Sequence, residues 1–261
     1  MQRVERFFLS LAGLAGVLTL WQVFAWTGLY PRYLFPWPGD VLQSLSQQLH
    51  QGVLGEHIAV SLFRFFSGYL VAAVVAIPLG LLLGWSRRLW IAVDPLVQVL
   101  RPISPIAWLP LVTLWFGIGD LPAIVIIFMA SFYPILLGTI AAVKNVDPVY
   151  IKVAKNFGAS GSHILWRVIV PAAFPYITMG LHFALGTAWI FLVAGEMMGV
   201  RSGLGFLIID ARNSMDTGLV IAGMLVIGLL GLAIDRLFGW LERLACRRWG
   251  IMEEEGSRWP R

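Results

Sequence analysis

Long, unbroken apolar windows constrain this chain more than any other feature. A segment of about 20 apolar residues, rising 1.5 Å per residue, covers a hydrocarbon core about 30 Å thick. Such windows recur along the chain, and they run continuously apolar instead of alternating every second residue, so they read as membrane helices and not barrel strands. Composition agrees. The 261 residues are 59% hydrophobic and 13% charged, whereas a soluble domain carries about 25% charge, and the mean hydropathy is +0.80. The expected fold class is all-α and integral to the membrane.

Six spans are read, at about 7–26, 59–84, 90–117, 121–142, 172–195 and 218–240. The first could be mistaken for a secretory signal, but it is long for one, and Phe24-Ala25-Trp26 lacks the small-residue cleavage pattern. An even number of spans places both termini on one side. With that topology Arg32, Arg201 and Arg212 fall on one face, Arg64 and Arg101 fall inside spans, and every other Lys and Arg falls on the opposite face. The positive-inside rule makes the crowded face cytoplasmic, with both termini there. The pI near 9.7 is thereby explained by topology, and no nucleic-acid partner is expected. Cys246 is the single cysteine, so neither an internal disulfide nor a metal-site spacing can be written.

The organisation predicted is an N-terminal span and external loop over 1–54, a transmembrane domain over 55–245 and a cytoplasmic tail over 246–261. Gly68, Ala72, Ala76, Gly80 and Gly84 recur every four residues, a ladder that lets a second helix approach closely; packing within one subunit explains it without a special subunit contact. Pro102, Pro105 and Pro110 predict that the third span is bent and buried in protein.

Catalytic patterns are missing. There is no H-E-x-x-H and no G-x-S-x-G, and His50, His57, His163 and His182 are scattered; His182, at membrane depth, reads as a hydrogen-bonded packing residue. The three lysines, Lys144, Lys152 and Lys155, follow Val143, Ile151 and Ala154, so no phosphate-cradling G-x-x-x-x-G-K-[ST] exists. If ATP drives this protein, another chain binds it.

Residues 148–171 interrupt the apolar pattern. Val149, Val153 and Phe157 line one side of a short helix and Lys152 and Lys155 stand elsewhere on it; Gly158 suits the left-handed position that ends it. Ser160 is expected to cap a second short helix over 161–168, and Pro171 to stop the chain before the fifth span. Such a helix-turn-helix knob could lie among lipid headgroups or dock into a partner protein.

The segment resembles the coupling loop of binding-protein-dependent ABC importer permeases, E-A-A, three residues, G, nine residues, I-x-L-P. Ala154, Gly158 and Pro171 match in place, Val168 and Val170 stand for Ile and Leu, and Lys152 reverses the charge of the glutamate. "LFPWPGDV" (34–41), "RPISPIAWLPLVTLWFGIGD" (101–120) and "SGLGFLIIDARN" (202–213) are similar to blocks of the nitrate/sulfonate/taurine branch. The resemblance implies a type I importer permease fold in a bacterial inner membrane, as a homodimer. Lys152, Ala154, Gly158, Ala159, Ser160 and Pro171 would couple it to cytoplasmic ATPase subunits that hold ATP and Mg. An extracytoplasmic binding protein would deliver a small anion of the sulfonate, taurine, nitrate or bicarbonate kind. The competing reading is a secondary transporter or channel without an ATPase.

For the translocation path the candidates are Arg101, Ser104, His182 and Glu196. Arg101 lies roughly 16 Å into its span at 1.5 Å per residue, where an unpaired guanidinium is costly. It must meet an acid such as Glu196, a carbonyl, water or a passing anion. Asp94 and Arg64 read as structural.

Overall fold

The computed structural model describes residues 2–248, and among them the chain is helical with no strand. In order, the helices are α1 (Gln2–Trp26), α2 (Pro38–His50), α3 (Val53–Trp85), α4 (Arg87–Leu100), α5 (Leu109–Phe116), α6 (Asp120–Lys144), α7 (Pro148–Asn156), α8 (Gly161–Ile164), α9 (Val170–Gly199), α10 (Leu204–Asn213) and α11 (Thr217–Arg248). Residues 249–261 of the expected tail lie outside the described residues.

Among the described residues four stretches are long and apolar enough to cross a bilayer alone: α3, α6, Gly161–Gly199 and Thr217–Cys246. The expected third span passes that test only as a pair of pieces bent by 82°, and the described apolar part of α1 is Ala15–Trp26. One kinked helix over 90–117 is therefore replaced by a sharp elbow. Pro102 offers no N–H to continue the ladder, Pro105 opens a 3₁₀ turn (Pro105–Trp108), and Pro110 sits in the first turn of α5, where a missing N–H is harmless.

The chain divides into two compact units, Met1–Leu62 with Glu196–Leu229 and Phe63–Gly195 with Leu230–Arg261. The first unit includes two helices, α2 and α10, that lie between the expected spans. α2 starts where the Asp40 carboxylate accepts the Trp37 N–H at 3.0 Å. Arg32 donates to the same carboxylate through Nε at 3.0 Å and Nη2 at 2.5 Å. Arg32 hydrogen-bonded to Asp40 holds that carboxyl below the usual carboxylate range. Both groups keep solvent contact, so the pair organises the loop more than it stabilises the fold.

In the second unit the small-residue ladder packs α3 directly on α6. A Cβ on Gly68 would lie 2.7 Å from the Ile124 carbonyl, one on Gly80 2.6 Å from the Thr139 Cβ, and one on Gly84 2.8 Å from the Val143 Cβ. Ala72 and Ala76 are fully buried between them. Packing within a single chain thus accounts for the ladder, as expected. Arg64, also fully buried, donates from Nε (2.8 Å) and Nη2 (2.6 Å) to Asp120 at the start of α6. A carboxylate at a helix N-terminus is itself favoured by the backbone dipoles.

Candidate functional site

Residues 147–171 form an elbow between α6 and α9. Asp147 accepts the Val149 N–H at 2.8 Å and so starts α7. At the other end Gly158 has φ +80, the left-handed region that glycine enters without strain. Its N–H reaches the Lys155 carbonyl at 2.9 Å, and Ala159 N–H reaches the Ala154 carbonyl at 3.0 Å. The predicted turn at Gly158 is present.

Two expectations for this segment need correction. Ser160 does stand before α8, but its side chain makes no capping bond; its carbonyl accepts the Ile164 N–H at 3.0 Å. Pro171 does not stop the chain. A π-helical turn over Leu165–Ile169 joins α8 to α9, so one helix runs from Gly161 to Gly199. A wider turn just upstream relaxes the ladder that a proline ring and its missing N–H would otherwise break.

The faces of α7 divide cleanly. Ile151, Ala154 and Ala159 pack on a buried cluster of Ala142, Val143, Val146, Ile164, Ile169 and Ala173, which roots the elbow in the helix bundle. Val149, Val153 and Phe157 face away, and Phe157 is 88% exposed. Lys152 and Lys155 are exposed as well. An apolar, aromatic surface with cationic neighbours is therefore presented on a rigid base.

Arg101 follows α4 at the elbow of the broken span. Its side chain is exposed and makes no hydrogen bond or ion pair among the described residues. It borders two open clefts. One, of about 580 Å³, is lined by Trp90, Asp94, Val97, Gln98 and Leu137 with Arg101. The other, of about 460 Å³, adds Ser104, Tyr133, Phe183 and Thr187. Of the four path candidates, Arg101 and Ser104 share a cleft wall, whereas His182 and Glu196 line neither of these clefts.

His182 is bracketed by α11: Nδ1 lies 3.0 Å from Glu242 and Nε2 2.9 Å from Asp235. Both ring nitrogens are engaged, as befits the packing role read from the sequence. Glu196 is buried and holds the 203–205 backbone. Ser61 Oγ approaches its two carboxylate oxygens at 2.8 and 2.9 Å, and Gly205 N–H donates to it at 2.9 Å. Ser61 in turn accepts Leu204 N–H at 2.8 Å, and His57 Nδ1 accepts Gly203 N–H at 3.0 Å.

A family described as "Binding-protein-dependent transport system inner membrane component" matches residues 76–245. The chain belongs to this family. The permease is 36% identical to the taurine transport system permease protein of Escherichia coli over 87% of its own length and 84% of that relative. It is 35% identical to the bicarbonate transport system permease protein of Synechococcus elongatus over 94% and 92%. An inward-facing MetNI methionine ABC transporter structure shares its fold, with TM-score 0.58 at 22% identity, covering 73% of this chain and 98% of that one.

Asp94, read as structural, accepts the Gln98 side chain within α4 and also lines a cleft with Arg101. Ser61 and His57, by contrast, meet Leu204 and Gly203 across more than 140 residues, and no local pattern announces that contact.

Proposed function

We propose that this permease is the membrane-spanning subunit of an ATP-driven importer for a small anion of the organosulfonate or bicarbonate class. The names of its relatives support the substrate class, and the exposed Val149–Val153–Phe157 face on a rooted elbow carries the coupling part. A surface of that kind fits a groove on a separate protein. In this reading cytoplasmic ATPases bind ATP and Mg, and this chain contributes the elbow that they hold. An extracytoplasmic binding protein delivers substrate near Asn213, two copies enclose the path, and both termini face the cytoplasm. Approach of the two ATPases on nucleotide binding draws the elbows together and opens the membrane core outward; their separation resets it.

The test uses the permease expressed with the ATPase and binding protein encoded beside it. Wild type is expected to retain the ATPase through gentle purification. Gly158→Val places a β-branched residue at φ +80, where it is an outlier, so it should insert in the membrane but lose ATPase and substrate-stimulated hydrolysis. Normal stimulated hydrolysis in that variant would sink the elbow assignment. Uptake by the chain alone, without any ATPase, would replace it with a secondary transporter or channel.

A further inference from the structure

Asp94 and Gln98 on α4 and Arg101, the residue that follows it with helical backbone angles, stand at i, i+4 and i+7 and share the wall of the 580 Å³ cleft. Asp94 Oδ2 accepts from Gln98 Nε2 at 2.8 Å; its other oxygen has no hydrogen-bond partner among the described residues. Arg101 has none for its guanidinium, and the two opposite charges do not pair with each other. Two opposite charges that line one open cleft without pairing offer a ligand a separate contact for each sign.

From this arrangement we propose that the α4 cleft receives a short zwitterion, with its oxyanion on Arg101 and its ammonium on Asp94. The proposal rests on the permease reading above and narrows the organosulfonate part of its substrate class to molecules that also carry an ammonium. Seven residues put the two Cα atoms about 10 Å apart along the helix. Both side chains reach into the space from there, so a small molecule that carries an oxyanion and an ammonium, an amino-sulfonate or a small amino acid, can meet each with a hydrogen bond of about 2.9 Å. Arg101 alone would accept any anion, and a guanidinium offers a sulfonate or carboxylate paired N–H donors. Asp94 is what discriminates, because it repels a second negative charge and welcomes an ammonium. Trp90, the aromatic wall beside it, does not compete for the ammonium: the Lys144 Nζ already lies 4.4 Å from its ring centre. Arg101 and Ser104 also border the second cleft, with Phe183 against it, so the anionic end can be passed across the elbow without leaving the guanidinium.

The test is calorimetric titration of the full-length permease alone in lipid nanodiscs, with taurine and with ethanesulfonate, which lacks only the amine. Wild type should prefer taurine, and Asp94→Asn should cut that preference by roughly tenfold, the loss of one close charge pair. The asparagine can still accept the Gln98 bond, so a monodisperse, folded variant is expected. Arg101→Gln should weaken both probes. No wild-type preference, no binding of either probe, or an unchanged preference in Asp94→Asn overturns the proposal. Because no ATPase enters this assay, failure here leaves the importer reading to its own test, and loss of ATPase co-purification leaves this one standing.

Discussion

At the scale of single residues, a carboxylate is worth what surrounds it. Glu196 is buried and receives a hydroxyl and a backbone N–H, and Gly203 passes beside it with φ +104. A Cβ on Gly203 would collide with the Glu196 carboxylate. Gly203→Ala combines that overlap with a backbone region costly for any side chain, together about 3 kcal/mol. A fall of many degrees in the detergent melting temperature is expected; an unchanged midpoint would contradict the clamp. The S-G-L-G pattern was legible from the sequence as a resemblance. The reason for its first glycine was not, since it lies in a side chain brought there by folding.

At the scale of elements, helices meet where side chains are missing. Gly80 abuts Thr139, whereas Gly228 has nothing within 4 Å of a built Cβ. Gly80→Leu must part α3 from α6 and should cost about 1–3 kcal/mol by overpacking. Gly228→Ala should be neutral or stabilise by up to about 1 kcal/mol through helix propensity. Chemical denaturation of both variants in the same detergent separates the two outcomes; equal effects would deny the direct α3–α6 contact. Prolines show the complementary limit of local reading. Pro102, Pro105 and Pro110 were legible as breakers and do break the span, while Pro171, equally legible, is absorbed by a π turn. Whether a proline ends a helix depends on how the preceding turn can widen, and packing of Ile164 and Ile169 on the cluster beneath holds that turn.

For the whole molecule, the distribution of Lys and Arg predicts the orientation. One long helix, Gly161–Gly199, separates Ser162 from Asn213, so the two should face opposite sides. In a Cys246→Ser background, a cysteine at Ser162 should react with an impermeant reagent from the cytoplasmic side only, and one at Asn213 from the outside only. Labelling of both from one side would overturn the topology.

Apolar runs, glycine and proline positions and charge distribution belong to the sequence by itself. From them came the membrane class, most span positions, the Gly158 turn and the resemblance to importer permeases, because each acts through the backbone or the surrounding solvent within a few residues. Tertiary structure alone decided the side-chain assignments. It brought His182 between Asp235 and Glu242, put Glu196 under the Gly203–Gly205 backbone, and left Arg101 and Asp94 facing a shared cleft. The energy of a buried polar group depends on partners that sequence distance does not order.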